Sequence, residues 1–101
     1  MLVVHATFPI DPDRREEALE LTGTVAERSR EEDGVLDYRI AIDADDRNLL
    51  RFFERYEDEA AFEAHLETDH VAELADALPD LLAGEPEITR FDVSEASDVE
   101  I

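Results

Sequence analysis

Cysteine and lysine are both absent from this chain of 101 residues. The lack of cysteine excludes disulfides, thiolate metal sites and cysteine nucleophiles. The sequence also lacks the run of about 18 apolar residues that a transmembrane helix needs, so no membrane span is predicted. Glycine-rich phosphate loops, nucleotide-binding fingerprints and serine-nucleophile motifs are missing as well. These absences argue against the commonest nucleotide-dependent and covalent mechanisms.

The charge of the chain is strongly one-sided. Nine arginines are set against 29 acidic residues, which gives a net charge of −20 at pH 7. Such a surface repels nucleic acid and anionic membranes, so neither is an expected partner. An acidic surplus without lysine resembles proteins of salt-accumulating halophilic archaea, where counterions screen the self-repulsion; an ordinary acidic protein is the alternative. The first residues enter a strand pattern without a basic, cleavable leader, so a cytoplasmic location is expected.

Hydrophobic periodicity predicts the order βαββαβ, which is the ferredoxin-like α+β fold. The predicted strands cover residues 2–8, 35–42, 48 or 49 to 56, and 88–93. The predicted helices run from Pro12 to about Glu31, start again after an Asp58 cap, and restart after a cap at Thr68 or Asp69. Pro79 is expected to mark a bend near the end of the last helix. We expect one domain over residues 1–93 and an acidic tail over residues 94–101.

Strand alternation assigns side chains to the two faces of the sheet. Phe52, Glu54 and Tyr56 should face the helices, and the second strand should place Leu36, Tyr38, Ile40 and Ile42 on one face. The other sheet face is predicted to carry His5, Asp37, Arg39, Arg51, Phe53, Arg55, Arg90 and Asp92. That mixture is too polar for a dry core and too apolar for free solvent, so a second copy of the sheet should cover it. We therefore expect a homodimer, with a solvated monomer as the alternative.

Three residues are candidates for acid/base catalysis: Glu54, His65 and His70. Glu54 should lie on the apolar side of its strand, where burial would raise its pKa unless a histidine or hydroxyl pairs with it. His65 and His70 are five residues apart, which is about 140° on a continuous helix. They can line one cavity only if the helix breaks near Thr68. A structural role is the alternative for all three.

The pattern also bears on metals, on individual roles and on the substrate. No metal site is predicted, because two histidines at this spacing would need a third ligand. Loss of His70 is expected to reduce turnover more than loss of His5, whose side chain should point to the opposite sheet face.

The residues expected to line the cavity and bind substrate are Phe8, Tyr38, Phe52, Tyr56 and Phe62. Such a mostly apolar pocket suits a flat small molecule, although core packing is the alternative for each aromatic taken alone.

The stretch from residue 49 to residue 70 carries three short motifs: Glu54-Arg55-Tyr56, Ala61-Phe62-Glu63-Ala64-His65 and Thr68-Asp69-His70. These motifs resemble the landmarks of the antibiotic biosynthesis monooxygenase (ABM) family. Upstream, Pro12 and the Glu32-x-Gly34-x-x-x-Tyr38 spacing also match, while Asp13 replaces the usual glycine. The resemblance covers about residues 1–93 and implies a dimeric α+β barrel.

Members of this family differ in function, and some oxidise phenolic or quinol-type substrates with dioxygen and without metal, flavin or haem. By resemblance we expect a cofactor-independent monooxygenase that acts on a small aromatic or quinol-type substrate. Ala6 and His65 stand where haem-degrading members have asparagine and tryptophan, which disfavours haem degradation. A non-enzymatic small-molecule-binding or stress-related domain, and an isomerase, are the alternatives.

High salt is predicted to stabilise the folded chain. Its net charge of −20 makes the compact state repel itself. The screening length falls from about 10 Å at 0.1 M salt to about 3 Å at 1 M. The melting temperature should therefore rise steeply as KCl is raised from low to molar concentration. A melting temperature that stays constant over this range would contradict the halophilic interpretation.

Overall fold

The computed structural model, which describes residues 1–101, is built on a four-stranded antiparallel sheet. Its strands are β1 (Leu2–Pro9), β2 (Val35–Asp43), β3 (Asp46–Tyr56) and β4 (Glu87–Asp92), in the order β2-β3-β1-β4. Three helices join them: α1 (Arg15–Ser29), α2 (Glu59–Leu66) and α3 (Asp69–Leu81). This is the predicted ferredoxin-like α+β fold, with two short helices between β3 and β4. None of the helices is both long and apolar enough to cross a membrane.

Period-two alternation positions the core on the helix-facing side of the sheet. Every second residue of β1 is buried, and β3 follows the same rule from Leu50 to Tyr56. The pairing of these two strands sets Ala6 opposite Phe52 and Val4 opposite Glu54. The carboxylate of Glu54 therefore shares a face with the apolar core, as the alternation predicts.

The break between α2 and α3 depends on side-chain capping. Asp58 starts α2, because its Oδ1 accepts from the backbone N–H of Ala61 at 2.9 Å. Thr68 serves both helices: its hydroxyl donates to the carbonyl of His65 at 2.7 Å and accepts from the N–H of Val71 at 3.4 Å. The predicted restart at Thr68 is thus confirmed. The break brings the rings of His65 and His70 to a centroid separation of 6.0 Å.

Local geometry differs from the prediction at three places. The residues Pro12–Arg14 form a 3-10 turn that precedes α1, so the α-helix begins at Arg15. The expected bend at Pro79 stays a prediction, and Pro79 lies inside α3 two residues before its end at Leu81. In β2 a bulge between Val35 and Asp37 leaves Leu36 as an extra, exposed residue. Ile42 is also exposed, at the end of this edge strand.

The predicted position of Arg90 and Asp92 on the open sheet face is wrong. Antiparallel pairing of β4 with β1 places Arg90 opposite Val4 and Asp92 opposite Leu2, so both share the helix-facing parity. Arg90 instead bonds to Glu59 at the start of α2, and its guanidinium carbon lies 5.8 Å from the centre of the Phe62 ring. The open face receives Thr89, opposite His5, and Phe91, opposite Val3.

Gly34 fixes the turn that connects α1 to β2. Its φ of +83° is in the left-handed region, and an added Cβ would approach the Cβ of Ala61 to 2.6 Å. Its carbonyl also accepts from the N–H of Glu57 at 2.8 Å. The turn is therefore packed directly against the start of α2.

Gly34→Ala should lower the free energy of unfolding by more than about 1 kcal/mol, since left-handed backbone costs about 1–2 kcal/mol before the steric clash is added. Gly23→Ala is the matched control. Gly23 is helical with no atom within 4 Å of an added Cβ, so alanine there should stabilise by roughly 0.5–1 kcal/mol. Urea denaturation of both variants measures the difference, and equal effects would contradict this account of the turn.

Candidate functional site

A cavity of about 210 Å³ lies between the helix-facing side of the sheet and the two helices α2 and α3. Residues from all four strands and both helices form its wall, and most of them are apolar. Glu54 and His65 are the only lining residues, apart from Tyr38, whose side chains can gain or lose a proton. A mostly apolar cavity with few convergent polar groups is the usual form of a small-molecule site.

The structure brings most of the predicted site residues to this cavity. Among the aromatics it is lined by Phe8, Tyr38, Phe52 and Phe62. Of the three acid/base candidates, Glu54 and His65 line the cavity. Tyr56 and His70 are not part of its wall and contact the lining residues from outside it: Tyr56 bonds to Glu54, and the ring of His70 packs near that of His65.

Glu54 is buried between Val4 of β1 and Tyr38 of β2, with 6% of its surface exposed. The hydroxyl of Tyr56 donates a hydrogen bond to its Oε1. Burial raises the pKa of Glu54 to about 7; the bond from Tyr56 opposes that rise, and the charge of Glu32 adds to it. The hydrogen bond from Tyr56 thus fixes the position of the Glu54 carboxyl group, but it does not keep that group fully ionised at neutral pH.

The two tyrosines beside Glu54 stay protonated over a wide pH range. Burial and the nearby Glu54 charge raise the pKa of both Tyr38 and Tyr56 well above the ordinary value of a phenol. The buried Ser29 hydroxyl slightly opposes this at Tyr38, although it makes no hydrogen bond of normal geometry. The tyrosines therefore offer hydroxyl groups rather than phenolates.

The carboxylate of Glu32 joins the two histidines. One oxygen, Oε2, lies 2.9 Å from Nδ1 of His65 and 2.7 Å from Nε2 of His70. Burial lowers the pKa of His65, although the hydrogen bond to Glu32 opposes that change. A neutral His65 that donates Nδ1–H to this carboxylate keeps the lone pair of Nε2, which makes no hydrogen bond within the chain, as a proton acceptor.

Sequence reasoning did not assign a role to Glu32. It lies 33 residues before His65 and 38 before His70, and only tertiary structure unites them. The one available signal was its place in the Glu-x-Gly landmark, since Gly34 turns the chain just after it. Glu32 also supplies the third donor that the prediction of no metal site took to be missing: the ligand atoms of Glu32, His65 and His70 all lie within 4.8 Å of one another.

Fold and cavity together define a ferredoxin-like α+β protein with an apolar cavity whose wall includes Glu54 and His65. The sequence profile described as "Antibiotic biosynthesis monooxygenase" matches residues 1–77, and the chain belongs to this ABM family. A Bacillus subtilis (strain 168) protein named "Putative monooxygenase YcnE" is 30% identical, and the match covers 94% of this chain and 100% of that protein.

Two further proteins are similar to this chain. The uncharacterized protein sll1783 of Synechocystis is 34% identical over 93% of this chain, which spans 64% of the length of that relative. A solved structure from Deinococcus radiodurans superposes with a TM-score of 0.92 at 25% identity and covers 99% of both chains.

Glu54→Gln should stabilise the protein in a pH-dependent way. The folded pKa of about 7 exceeds the ordinary 4.5, so ionising Glu54 destabilises the fold, and the penalty grows as pH rises from 4.5 to 7. Glutamine should therefore raise the free energy of unfolding by about 3 kcal/mol at pH 8 and by about 1 kcal/mol at pH 5.

Urea denaturation at these two pH values measures the effect. Glu63→Gln, on the exposed side of α2, is the matched control and should show no comparable gain. If Glu54→Gln gives the same gain at both pH values, the charge of Glu54 is not what destabilises the fold.

Proposed function

We propose that this protein is a cofactor-independent monooxygenase that oxidises a small phenol or quinol with dioxygen. The observation that carries the proposal is the apolar cavity, because the only acid/base groups on its wall besides Tyr38 are Glu54, whose pKa burial raises to about 7, and His65, whose pKa burial lowers. A dry site with one base beside the bound ring is what deprotonation of a phenol requires. The monooxygenase names of the family and of the Bacillus relative support the same reaction class.

The dimensions of the cavity favour a substrate with one ring. An apolar cavity of about 150 Å³ in another protein takes up benzene, so a volume of about 210 Å³ suits a substituted single ring. Phe8 and Phe52 form a tilted pair with centroids 4.8 Å apart on the sheet side. Leu66 and Ile88 line the opening and are more than half exposed, which gives the substrate an apolar route inward.

Glu54 and His65 supply the proton transfers of this reaction. The Glu54 carboxylate takes the phenolic proton, and the phenolate then reduces dioxygen and forms a carbon–oxygen bond to it. Protonated Glu54 returns its proton to the resulting peroxide. His65 takes the proton from the ring carbon, the O–O bond breaks, and hydroxide leaves as water with that proton. The balance is phenol plus dioxygen giving quinone plus water, with no outside reductant.

An assay of turnover with and without dioxygen separates the monooxygenase from two other candidate functions. A small-molecule-binding or stress-related domain would show saturable binding without turnover. An isomerase would turn over its substrate in the absence of dioxygen. Dioxygen consumption coupled to quinone formation, measured across a panel of single-ring phenols and hydroquinones, would favour the monooxygenase over both.

We further propose that the protein acts as a homodimer at molar salt. The sheet face away from the helices carries His5, Phe53 and Phe91, and the two phenylalanines are 41% and 49% exposed. Between the neighbouring strands β3 and β2, the Nε of Arg51 lies 2.7 Å from Oδ1 of Asp43 and forms an ion pair with it. A face that combines exposed aromatics with paired charges suits contact with a second copy.

Light scattering in molar KCl should give a mass of twice 11.5 kDa. Phe53→Arg should give the monomer mass, because it buries an unpaired charge at the contact. A wild-type chain that is monomeric at micromolar concentration would rule out this dimer.

Glu54→Gln should reduce kcat/KM by about 10²–10⁴-fold, the usual contribution of a general base. In the wild type, kcat/KM should rise with pH and level off above about 7, since the carboxylate form of Glu54 is the active one. His65→Ala should cost a similar factor, and the double variant should cost little more because the two act as a unit.

Glu63→Gln serves as the control for activity as well. His70→Ala should reduce turnover more than His5→Ala, since His70 helps to hold the shared Glu32 carboxylate, whereas His5 lies on the open sheet face. Full turnover in a folded Glu54→Gln variant would show that Glu54 is not the base.

A further inference from the structure

We infer that Glu32, His65 and His70 form a binding site for a divalent transition metal such as Zn²⁺. Their donor atoms, one carboxylate oxygen and two imidazole nitrogens, converge within 4.8 Å. Two histidines and one carboxylate are the protein ligands of several zinc enzymes and of non-haem iron sites. The fourth ligand would be water, since three protein ligands leave one tetrahedral position open.

The two carboxylate–imidazole distances are close to those that a metal requires, and the three donor atoms as a set lie within 4.8 Å of one another. Metal–ligand bonds of about 2.0–2.2 Å place tetrahedral ligands about 3.4 Å from one another. The Glu32 oxygen now lies 2.9 and 2.7 Å from the two nitrogens, which are hydrogen-bond lengths. When a metal replaces the bridging protons, this oxygen retreats by about 0.5–0.7 Å, and the two imidazole rings turn until their nitrogens also lie about 3.4 Å apart. The Glu32 side chain is 15% exposed, so it reaches the solvent side of the site.

The backbone holds the two histidines in place before any metal arrives. His65 lies in the last turn of α2 and His70 in the first turn of α3, and the Thr68 hydroxyl bonds to both helices between them. The backbone of Glu32 is part of the turn at Gly34, where its carbonyl accepts from the N–H of Val35 at 3.3 Å. A site arranged in advance loses little conformational entropy on binding, which favours affinity.

The charges of the site suit a divalent cation. One carboxylate and two neutral imidazoles carry a single negative charge, and the chain as a whole carries −20, which attracts cations. Glu32 is not merely one member of an acidic surface cluster, because both nitrogen donors are buried: His65 is 3% and His70 9% exposed. Two buried imidazoles favour a transition metal over Mg²⁺ or Ca²⁺, which prefer oxygen ligands.

Metal binding would change the proton on His65. A metal on Nδ1 displaces the hydrogen now directed at Glu32, and a neutral ring must then carry its hydrogen on Nε2. Nε2 could no longer accept a proton from a ligand in the cavity. Zn²⁺ should therefore inhibit turnover; this consequence rests on the proposed function, whereas metal binding itself can be measured without any substrate.

The first test uses the wild-type chain, whose three histidines include a built-in control. Zn²⁺ is titrated in molar KCl, which screens non-specific cation binding to the surface, and the imidazole resonances are followed by NMR. The resonances of His65 and His70 should shift together and saturate at one equivalent, while those of His5 stay constant. Mg²⁺ should leave all three unchanged. Unshifted His65 and His70 resonances, or an equal shift at His5, would overturn the inference.

The second test measures affinity with Co²⁺, whose visible absorption reports tetrahedral nitrogen and oxygen ligation. His70→Ala and Glu32→Gln should each bind at least about 10–100-fold more weakly, since even the loss of a group that supports a ligand typically costs that much. His5→Ala should bind as the wild type does. Circular dichroism checks the fold of each variant, and the NMR titration stands if a variant does not fold. Unchanged Co²⁺ affinity in a folded Glu32→Gln variant would overturn the site.

Discussion

The carboxylate of Glu32 is the contact on which the site depends. A single oxygen accepts from His65 and His70, and so links the turn after α1 to the junction of α2 and α3. Without it, two buried imidazoles would lose hydrogen bonds where water has little access, which is costly in a protein interior. The tautomer of His65, and hence what its ring offers to the cavity, follows from this one contact.

Burial also shifts the pKa values of the other buried titratable groups, and it shifts them in different directions. Burial raises the pKa of Glu54 to about 7 and lowers the pKa of His65 from its ordinary value. The same burial moves Tyr38 and Tyr56 away from neutrality. A single physical cause, removal from water, thus leaves two groups able to exchange protons and two that only donate hydrogen bonds. The penalty of keeping Glu54 on an apolar face fits the catalytic role proposed for it, because active sites commonly give up stability for function.

Local rules predicted the fold because each of them acts over a few residues. Alternation assigned Glu54 to the helix side, and the hydroxyl of Thr68 marked the helix break. They failed where the outcome depends on a distant partner. The parity of Arg90 is set by pairing with β1, and the exposure of Leu36 is set by a bulge against β3. The contacts of Glu32 span more than 30 residues and follow from no local pattern.

The Thr68 cap frees the two histidines from helix periodicity. On an unbroken helix, the angle between two side chains is fixed by the number of residues between them. A capping residue placed between them resets the rotational phase, so the angle depends instead on how the second helix restarts. Pattern searches that look for paired histidines four apart would therefore pass over this arrangement. In protein engineering, the number of residues in such a junction can be changed. That change would rotate one functional side chain relative to the other, while each helix keeps its buried face against the rest of the protein.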